Sequence, residues 1–277
     1  MEINKNTIFD IAKKCSLKPN KSLGQNFLID PSVSSRIVDS LNITEDEKIL
    51  EIGPGLGTLT HFLALRTNPI ELVELDKTMV DFLAVVYKDF KNIKIINKDI
   101  LRVDVSSYDK IVGNLPYYIT TDIIVYILLN AARCRKLVFM IQKEAFPRFS
   151  AKVNEDGYGP AAILVSLLGE IRKVVNVGAN SFYPNPHIDS IVFEIEFDIS
   201  KKTKANYDIY RLAKALFANR RKTILNNLSS LVGSKDKALK MLNQLNIKET
   251  LRPENLSKQD YANLYLLISS CSGTNKE

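Results

Sequence analysis

The middle of the chain alternates short runs rich in β-branched residues with stretches of helical period, and this alternation restricts the fold more than any other feature of the sequence. The runs are KILEI (48–52), IELVEL (70–75), NIKII (92–96), KIVGN (110–114) and KLVFMI (136–141). Helices are expected near 57–66, 77–88, 119–132 and 143–151. Strands joined through helices must cross over and run parallel, and a parallel sheet needs helices on both faces. Two later runs, EIRKVVNV (170–177) and HIDSIVFEIEF (187–197), have no long helix between them. They are expected to close the sheet as an antiparallel hairpin, with SIVFEIEF alternating like a half-buried strand. The fold class is α/β.

Local signals mark the elements around this centre. Asp30-Pro31 reads as a helix start, Asp as N-cap and Pro at the first helical position, ahead of Val33, Ile37, Val38 and Leu41 at helical spacing. Asp76 is expected to cap the 77–88 helix in the same way. After SIVFEIEF, the lysine-rich stretch DISKKTKAN (198–206) breaks the strand pattern and everything beyond reads as helix. Ile209, Leu212, Ala213, Leu216 and Phe217 form one apolar stripe; Ile224, Leu228 and Leu231 a second; Leu239, Leu242 and Leu245 a third. Pro253 stops helical structure, and Ser257 with Asp260 resembles a capping box for a last helix carrying Tyr261, Leu264, Tyr265 and Ile268. Two domains are expected, 1–200 as the α/β part and 201–277 as a small all-α part.

Charge narrows the partners. The chain carries net +7, and residues 201–222 alone hold eight basic side chains against the single acid Asp208. The rest of the sequence balances, so the excess is local and points to a phosphate-bearing partner. Arg148, Arg220, Arg221 and Lys222 are the candidate phosphate contacts. The three cysteines, Cys15, Cys134 and Cys271, are widely spaced and contain no C-x-x-C pair, which argues against structural zinc or a disulfide framework. His61 and His187, far apart and without ligand-like neighbours, are expected to be surface or packing residues, and no metal is expected. There is no secretory pattern at the start, and no apolar stretch reaches the roughly 18 residues of a membrane span, so a cytoplasmic chain without membrane association is expected.

EIGPGLG (51–57) sits where the first strand ends and a helix begins. Gly53, Gly55 and Gly57 permit a tight turn and close approach of a ligand to the backbone. The spacing is not the dinucleotide fingerprint, because Thr58 stands where the third glycine of G-x-G-x-x-G would be, and no lysine is present to cradle phosphate. The loop, beginning with Glu51, resembles the first motif of the S-adenosylmethionine methyltransferases. Glu74, at the end of the second strand, can accept from ribose hydroxyls. Asp99, after the third strand, can accept from an adenine amine while Ile100 packs on the ring. All lie at strand carboxyl ends, where open α/β sheets bind ligands.

The fourth strand ends in Asn114-Leu115-Pro116-Tyr117-Tyr118. An exocyclic aromatic amine is a weak nucleophile because its lone pair is delocalised. A side-chain amide oxygen and a backbone carbonyl can accept from both of its N–H groups and aim the lone pair at an electrophile. Pro116 helps fix the turn, and Tyr117 offers a stacking face. With an electrophile already charged, positioning and electrostatics carry much of the rate.

On these residues the chain resembles the small-subunit (16S) rRNA adenine N6,N6-dimethyltransferases. KSLGQNFLID (21–30), EIGPGLG, VELD, KDI, GNLPYYIT, FMIQKEAFPRF (139–149), SFYPNPHIDSIVF (181–193), FANRRKTILNNL (217–228) and LRPENLSKQDY (251–261) carry the resemblance over nearly the whole chain. It implies a Rossmann-like methyltransferase sheet with a helical RNA- or ribosome-binding domain. S-adenosyl-L-methionine would be the cofactor, and Gln25, Asn26 and the backbone of Leu28 would touch it. Phe182 would stack on the target adenine opposite Tyr117. The partner implied is rRNA within a pre-30S particle, met by a monomer. Tyr118, Ile188 and Ala179-Asn180 depart from the usual residues, and KVNEDGYGP (152–160) is expected to be a flexible loop that orders on RNA. Three alternatives stand beside this one. They are a large-subunit (23S) enzyme of the macrolide-resistance type, a non-catalytic RNA-binding assembly or transcription factor on the same fold, and a nicotinamide oxidoreductase. Thr58 and the acids of the cofactor strands disfavour the last.

Overall fold

The computed structural model describes residues 25–273. Cys15, the Lys21–Gly24 half of the KSLGQNFLID match and the Cys271 side chain lie outside what is described. The elements are β1 (Phe27–Leu28), α1 (Pro31–Ser40), β2 (Ile49–Ile52), α2 (Thr58–Ala64), β3 (Ile70–Glu74), α3 (Lys77–Val86), β4 (Ile93–Asn97), β5 (Lys110–Asn114), α4 (Thr120–Asn130) and β6 (Lys136–Gln142). There follow α5 (Pro147–Ser150), α6 (Pro160–Leu168), β7 (Gly169–Val177), β8 (Phe182–Tyr183), β9 (Ser190–Phe197), α7 (Lys204–Phe217), α8 (Ile224–Val232), α9 (Lys235–Gln244) and α10 (Lys258–Gly273).

These elements form two compact units. One runs through Phe146 and resumes over Ile171–Ile199; the other comprises Pro147–Glu170 and the chain from Ser200 onward. The second unit therefore includes a stretch that the sequence pattern assigns to the 1–200 domain. The reason is that Ala162 and Ile163 of α6 are buried with Leu212, Leu216 and Tyr261 rather than with the sheet. The segment expected as one helix over 143–151 is a 3₁₀ turn, Lys143–Ala145, followed by the short α5.

The first unit is built on a seven-stranded sheet of order β4-β3-β2-β5-β6-β9-β7. β4, β3, β2, β5 and β6 are parallel, and β9 runs antiparallel to β6 from Gln142↔Ser190 to Lys136↔Glu196. All four residues of β2 are buried, as expected for a strand covered on both faces. β9 lies between β6 and β7, so both late strands join the sheet, but the chain between them is not a simple hairpin turn. It contains β8, which leaves to pair antiparallel with β1, Phe27 opposite Tyr183 and Leu28 opposite Phe182. Asp30 and Asp76 cap α1 and α3, accepting from the amides of Ser32 (3.1 Å) and Thr78 (2.9 Å).

Strand order reverses between β2 and β5, which opens a crevice at their carboxyl ends. Ile52 and Gly113 are partners in register there. A Cβ on Gly113 would fall 2.5 Å from the Ile52 carbonyl oxygen, so the close approach of the two strand ends demands glycine. This brings the loop after β2 beside Asn114.

The second unit packs α6 to α10 around Ile163, Leu212, Ala213, Leu216, Ile224, Leu228, Leu242 and Leu264. The α7 stripe is buried as its spacing predicts; on α8, Leu231 is 46% exposed and leaves the stripe. The capping box forms, with the Ser257 amide donating to Asp260 Oδ2 (2.8 Å) and the Asp260 amide to Ser257 Oγ (3.1 Å). No helix among the described residues is long and apolar enough to cross a membrane.

Candidate functional site

The crevice holds an open cleft whose described lining residues all belong to the first unit. Gln25, Asn26, Leu28, Glu51, Gly53, Gly55, Glu74, Asp99, Ile100, Asn114, Leu115, Pro116 and Tyr117, all expected from sequence, converge on it. Gly55 has φ +54°, and a Cβ there would meet the Phe27 ring at 2.9 Å, so the loop and the segment carrying β1 touch backbone to ring. That segment is fastened further: Gln25 Nε2 donates to Asp76 Oδ2 (2.9 Å), and the Thr58 hydroxyl donates to the Leu28 carbonyl (2.6 Å).

Among the described residues, the charged side chains of the lining are Glu51, Glu74 and Asp99, with no Lys, Arg or His. Glu74 accepts from the Gly55 amide (3.1 Å) and the Asp76 amide (2.9 Å). Its carboxyl lies above the usual range because burial outweighs these hydrogen bonds. Glu51 is 1% exposed, and its Oε2 accepts from the Thr60 hydroxyl at 2.7 Å. Its Oε1 is buried with no hydrogen-bond partner among the described residues. Burial pushes the Glu51 carboxyl up to about 8, against the Thr60 hydrogen bond and with added repulsion from Glu74. Asp99 accepts from the Leu101 amide (3.0 Å), starting a 3₁₀ turn whose first residue, Ile100, is buried beside the cleft.

Asn114 ends β5 and donates Nδ2 to the Asn26 carbonyl at 3.1 Å. The next residues turn away from the strand: the Leu115 amide donates to the Met140 carbonyl (3.0 Å) and the Thr120 hydroxyl to the Pro116 carbonyl (2.8 Å). Tyr117 is half-buried, with its hydroxyl 3.5 Å from Ser190 Oγ, and burial raises its phenol pKa. Tyr118 is 60% exposed and also lines the cleft.

Phe182 lies in the core of the first unit. It is 1% exposed and packs with Leu28, Ile37, Met140 and Val192, and it does not line the cleft. Pairing of β8 with β1 fixes alternate side chains to opposite sides, which turns Phe182 inward and leaves Tyr183 exposed. Sequence reasoning also passed over Thr58, read only as a missing glycine, and the Asn26 carbonyl, which no side-chain pattern reveals.

The candidate phosphate contacts belong to the second unit. Arg220, Arg221 and Lys222 are exposed on the turn between α7 and α8, and Arg148 is exposed on α5. Arg220 also lies 3.6 Å from Glu254. The buried Asn227 side chain shapes the turn from beneath, donating to the carbonyls of Asn219 (3.2 Å), Lys222 (3.3 Å) and Thr223 (3.2 Å). The 152–160 segment is not the loose loop its composition suggests. Tyr158 is buried and donates to the Leu256 carbonyl (3.0 Å), and a Cβ on Gly157 would come within 2.8 Å of Pro147. His61 packs edge-on to Phe62, and no group of three or more His, Cys, Asp or Glu among the described residues could hold a metal.

Residues 16–270 match the family described as ribosomal RNA adenine dimethylase. The chain belongs to this family. The ribosomal RNA small subunit methyltransferase A of Mycoplasma mycoides subsp. mycoides is 37% identical over 262 residues, 91% of this chain and 98% of that one. Its counterpart from Alkaliphilus metalliredigens is 36% identical over 267 residues, covering 92% and 93%. Among solved structures, a dimethyladenosine transferase from Plasmodium falciparum aligns with TM-score 0.76 at 24% identity, over 88% of this chain and 97% of that one. The 23S rRNA methyltransferase ErmE aligns with TM-score 0.67 at 22% identity, over 88% and 100%. At these identities the two structures establish a shared fold. The match to the ribosomal RNA adenine dimethylases spans the cleft and the basic turn alike.

Proposed function

We propose that the chain transfers methyl groups from S-adenosylmethionine to N6 of two adjacent adenosines near the 3′ end of small-subunit rRNA, giving N6,N6-dimethyladenosine. The observation that carries this reading is the Asn114 amide, whose donor end is held by the Asn26 carbonyl in the lining of a cleft whose described charged side chains are all acidic. With Nδ2 committed, Oδ1 is the end left to accept from an amine. The Pro116 carbonyl already accepts from Thr120, so the second acceptor for that amine is the Leu115 carbonyl. Two acceptors on one amino group orient its lone pair, and Tyr117 supports one face of the ring.

The cleft suits this cofactor. Three carboxyl groups and, among the described residues, no cation disfavour a pyrophosphate and favour a ligand with positive charge. The unpartnered Glu51 Oε1 fits an ammonium, Glu74 fits ribose hydroxyls, and Asp99 with Ile100 fits an adenine ring and its amine. Gln25, Asn26, Leu28, Gly53 and Gly55 would wrap the remainder. S-adenosylmethionine, when bound, supplies a methyl group on an already cationic sulfur, so no strong general base is required of the protein. Its task is to orient the amine and keep water out.

The target base leaves its stack to reach the cleft. Arg148, Arg220, Arg221 and Lys222 of the helical unit bind rRNA phosphates, and the substrate is the cytoplasmic pre-30S particle, met by a monomer. The test is to map N6-dimethyladenosine in rRNA from cells lacking the gene, complemented with wild type or Asn114→Ala. The small-subunit pair should vanish without the gene, return with wild type and stay absent with the variant, while the variant still binds cofactor. Loss of a large-subunit mark instead would overturn the assignment in favour of the 23S reading.

A further inference from the structure

Thr58 stands where a dinucleotide loop would carry a third glycine, and its side chain has a use. It is 5% exposed, and its hydroxyl donates at 2.6 Å to the carbonyl of Leu28. Leu28 belongs to a two-residue strand, too short to hold itself in place. The segment is also tied by the pairing with β8, by the Ile29 amide donating to the Ser181 carbonyl (2.8 Å), and by Gln25 on Asp76. Two residues upstream of Leu28, the Asn26 carbonyl accepts from Asn114 Nδ2. An unbroken path of named bonds thus runs from the cofactor loop to the amide that faces the substrate.

We propose that Thr58 is a positioning residue for methyl transfer: by holding the Leu28 carbonyl it fixes the 25–28 strap, and the strap fixes the rotation of the Asn114 amide. The inference rests on the reaction proposed above. If the strap shifts, the Asn26 carbonyl no longer holds Nδ2, and the amide can turn its N–H groups toward the adenine amine. Donor then faces donor, and the nucleophile loses its orientation. The Thr58 hydroxyl bonds to the strap and not to Asn114, and because Thr58 also lines the cleft, cofactor affinity is measured separately.

The experiment compares wild type, Thr58→Val and Thr58→Ser in three assays. These are amide hydrogen exchange over residues 26–29, steady-state methylation of small-subunit particles, and calorimetric binding of S-adenosylhomocysteine. Valine keeps the shape and removes the donor; serine keeps the donor. In Thr58→Val, exchange should quicken about tenfold, as local opening becomes easier. Its kcat should fall about tenfold through misplacement of the amide. Affinity for S-adenosylhomocysteine should weaken by no more than about threefold, because Glu51, Glu74 and Asp99 remain in place. Thr58→Ser should stay close to wild type in all three. Unchanged exchange in Thr58→Val would overturn the proposal, as would an affinity loss as large as the loss of kcat, or a serine variant as impaired as the valine one. A wild-type protein that transfers no methyl would overturn the reaction itself, and the exchange difference between the variants would still decide whether Thr58 holds the strap.

Discussion

Cofactor binding should expel a proton from Glu51. The carboxyl is pushed up to about 8 by burial. The groups facing it are the Thr60 hydroxyl from α2, the Glu74 carboxyl from β3 and the Tyr87 phenol next to α3, none of them cationic. At pH 7 such a carboxyl is roughly 90% protonated. An ammonium placed against the orphaned Oε1 returns its pKa toward the ordinary range, so binding releases about 0.9 proton at pH 7. Affinity should then rise close to tenfold between pH 6 and 7, a window in which the ligand's own α-amino group stays protonated. The assay is calorimetric titration of S-adenosylhomocysteine in buffers of different ionisation enthalpy, with wild type and Glu51→Gln. Zero proton release in wild type, or equal release in the glutamine variant, would refute the reasoning. The same shift has a stability consequence. The folded state keeps a proton that the unfolded chain gives up near 4.5, so the ligand-free protein loses stability as pH rises from there to about 8. At pH 7 the loss is about 3 kcal/mol, and Glu51→Gln should remove this slope from thermal unfolding curves.

Phe182→Ala should cost about 3–5 kcal/mol of stability, measured by denaturant unfolding, because the ring fills core. Full stability with lost activity would instead restore a stacking role. Glu74→Ala should weaken cofactor affinity, and an unchanged calorimetric dissociation constant would remove it from the ribose site. Neutralising Arg221 or Lys222 should lower the salt slope of RNA binding by about one for each phosphate that is no longer neutralised. A slope that stays the same places those side chains off the RNA.

Much of the architecture is legible because its causes are local. Asp30, Asp76 and Ser257 cap helices using neighbours two or three residues away, and the strand runs announce their burial by composition. The α6 helix escaped because Ala162, Ile163, Leu164 and Val165 are buried in succession, leaving no period to read. The β1–β8 pair escaped for a different reason. Two residues carry no pattern, and their partners lie far along the chain, so neither the pairing nor the inward turn of Phe182 could be inferred. Within the cleft, the acids and glycines were legible by residue type. The roles of Thr58 and the Asn26 carbonyl were not, because hydrogen bonds to main-chain oxygens leave no mark on spacing. Composition also misled at 152–160, where Gly157 and Asn154 suggest looseness. Tertiary ties through Tyr158 hold the segment instead.

The turn carrying Arg220, Arg221 and Lys222 is tied from beneath by one side chain, Asn227, together with the Lys222 amide donating to the Asn219 carbonyl. Scaffold and display are thus encoded separately. Substitutions at the three displayed positions can retune charge, reach or affinity for a polyanion one at a time without rebuilding the loop. A change at Asn227 would move all three together. Over a long descent the surface can drift while the amide below it stays put, and an engineer wishing to redirect this surface has three editable positions and one to leave alone.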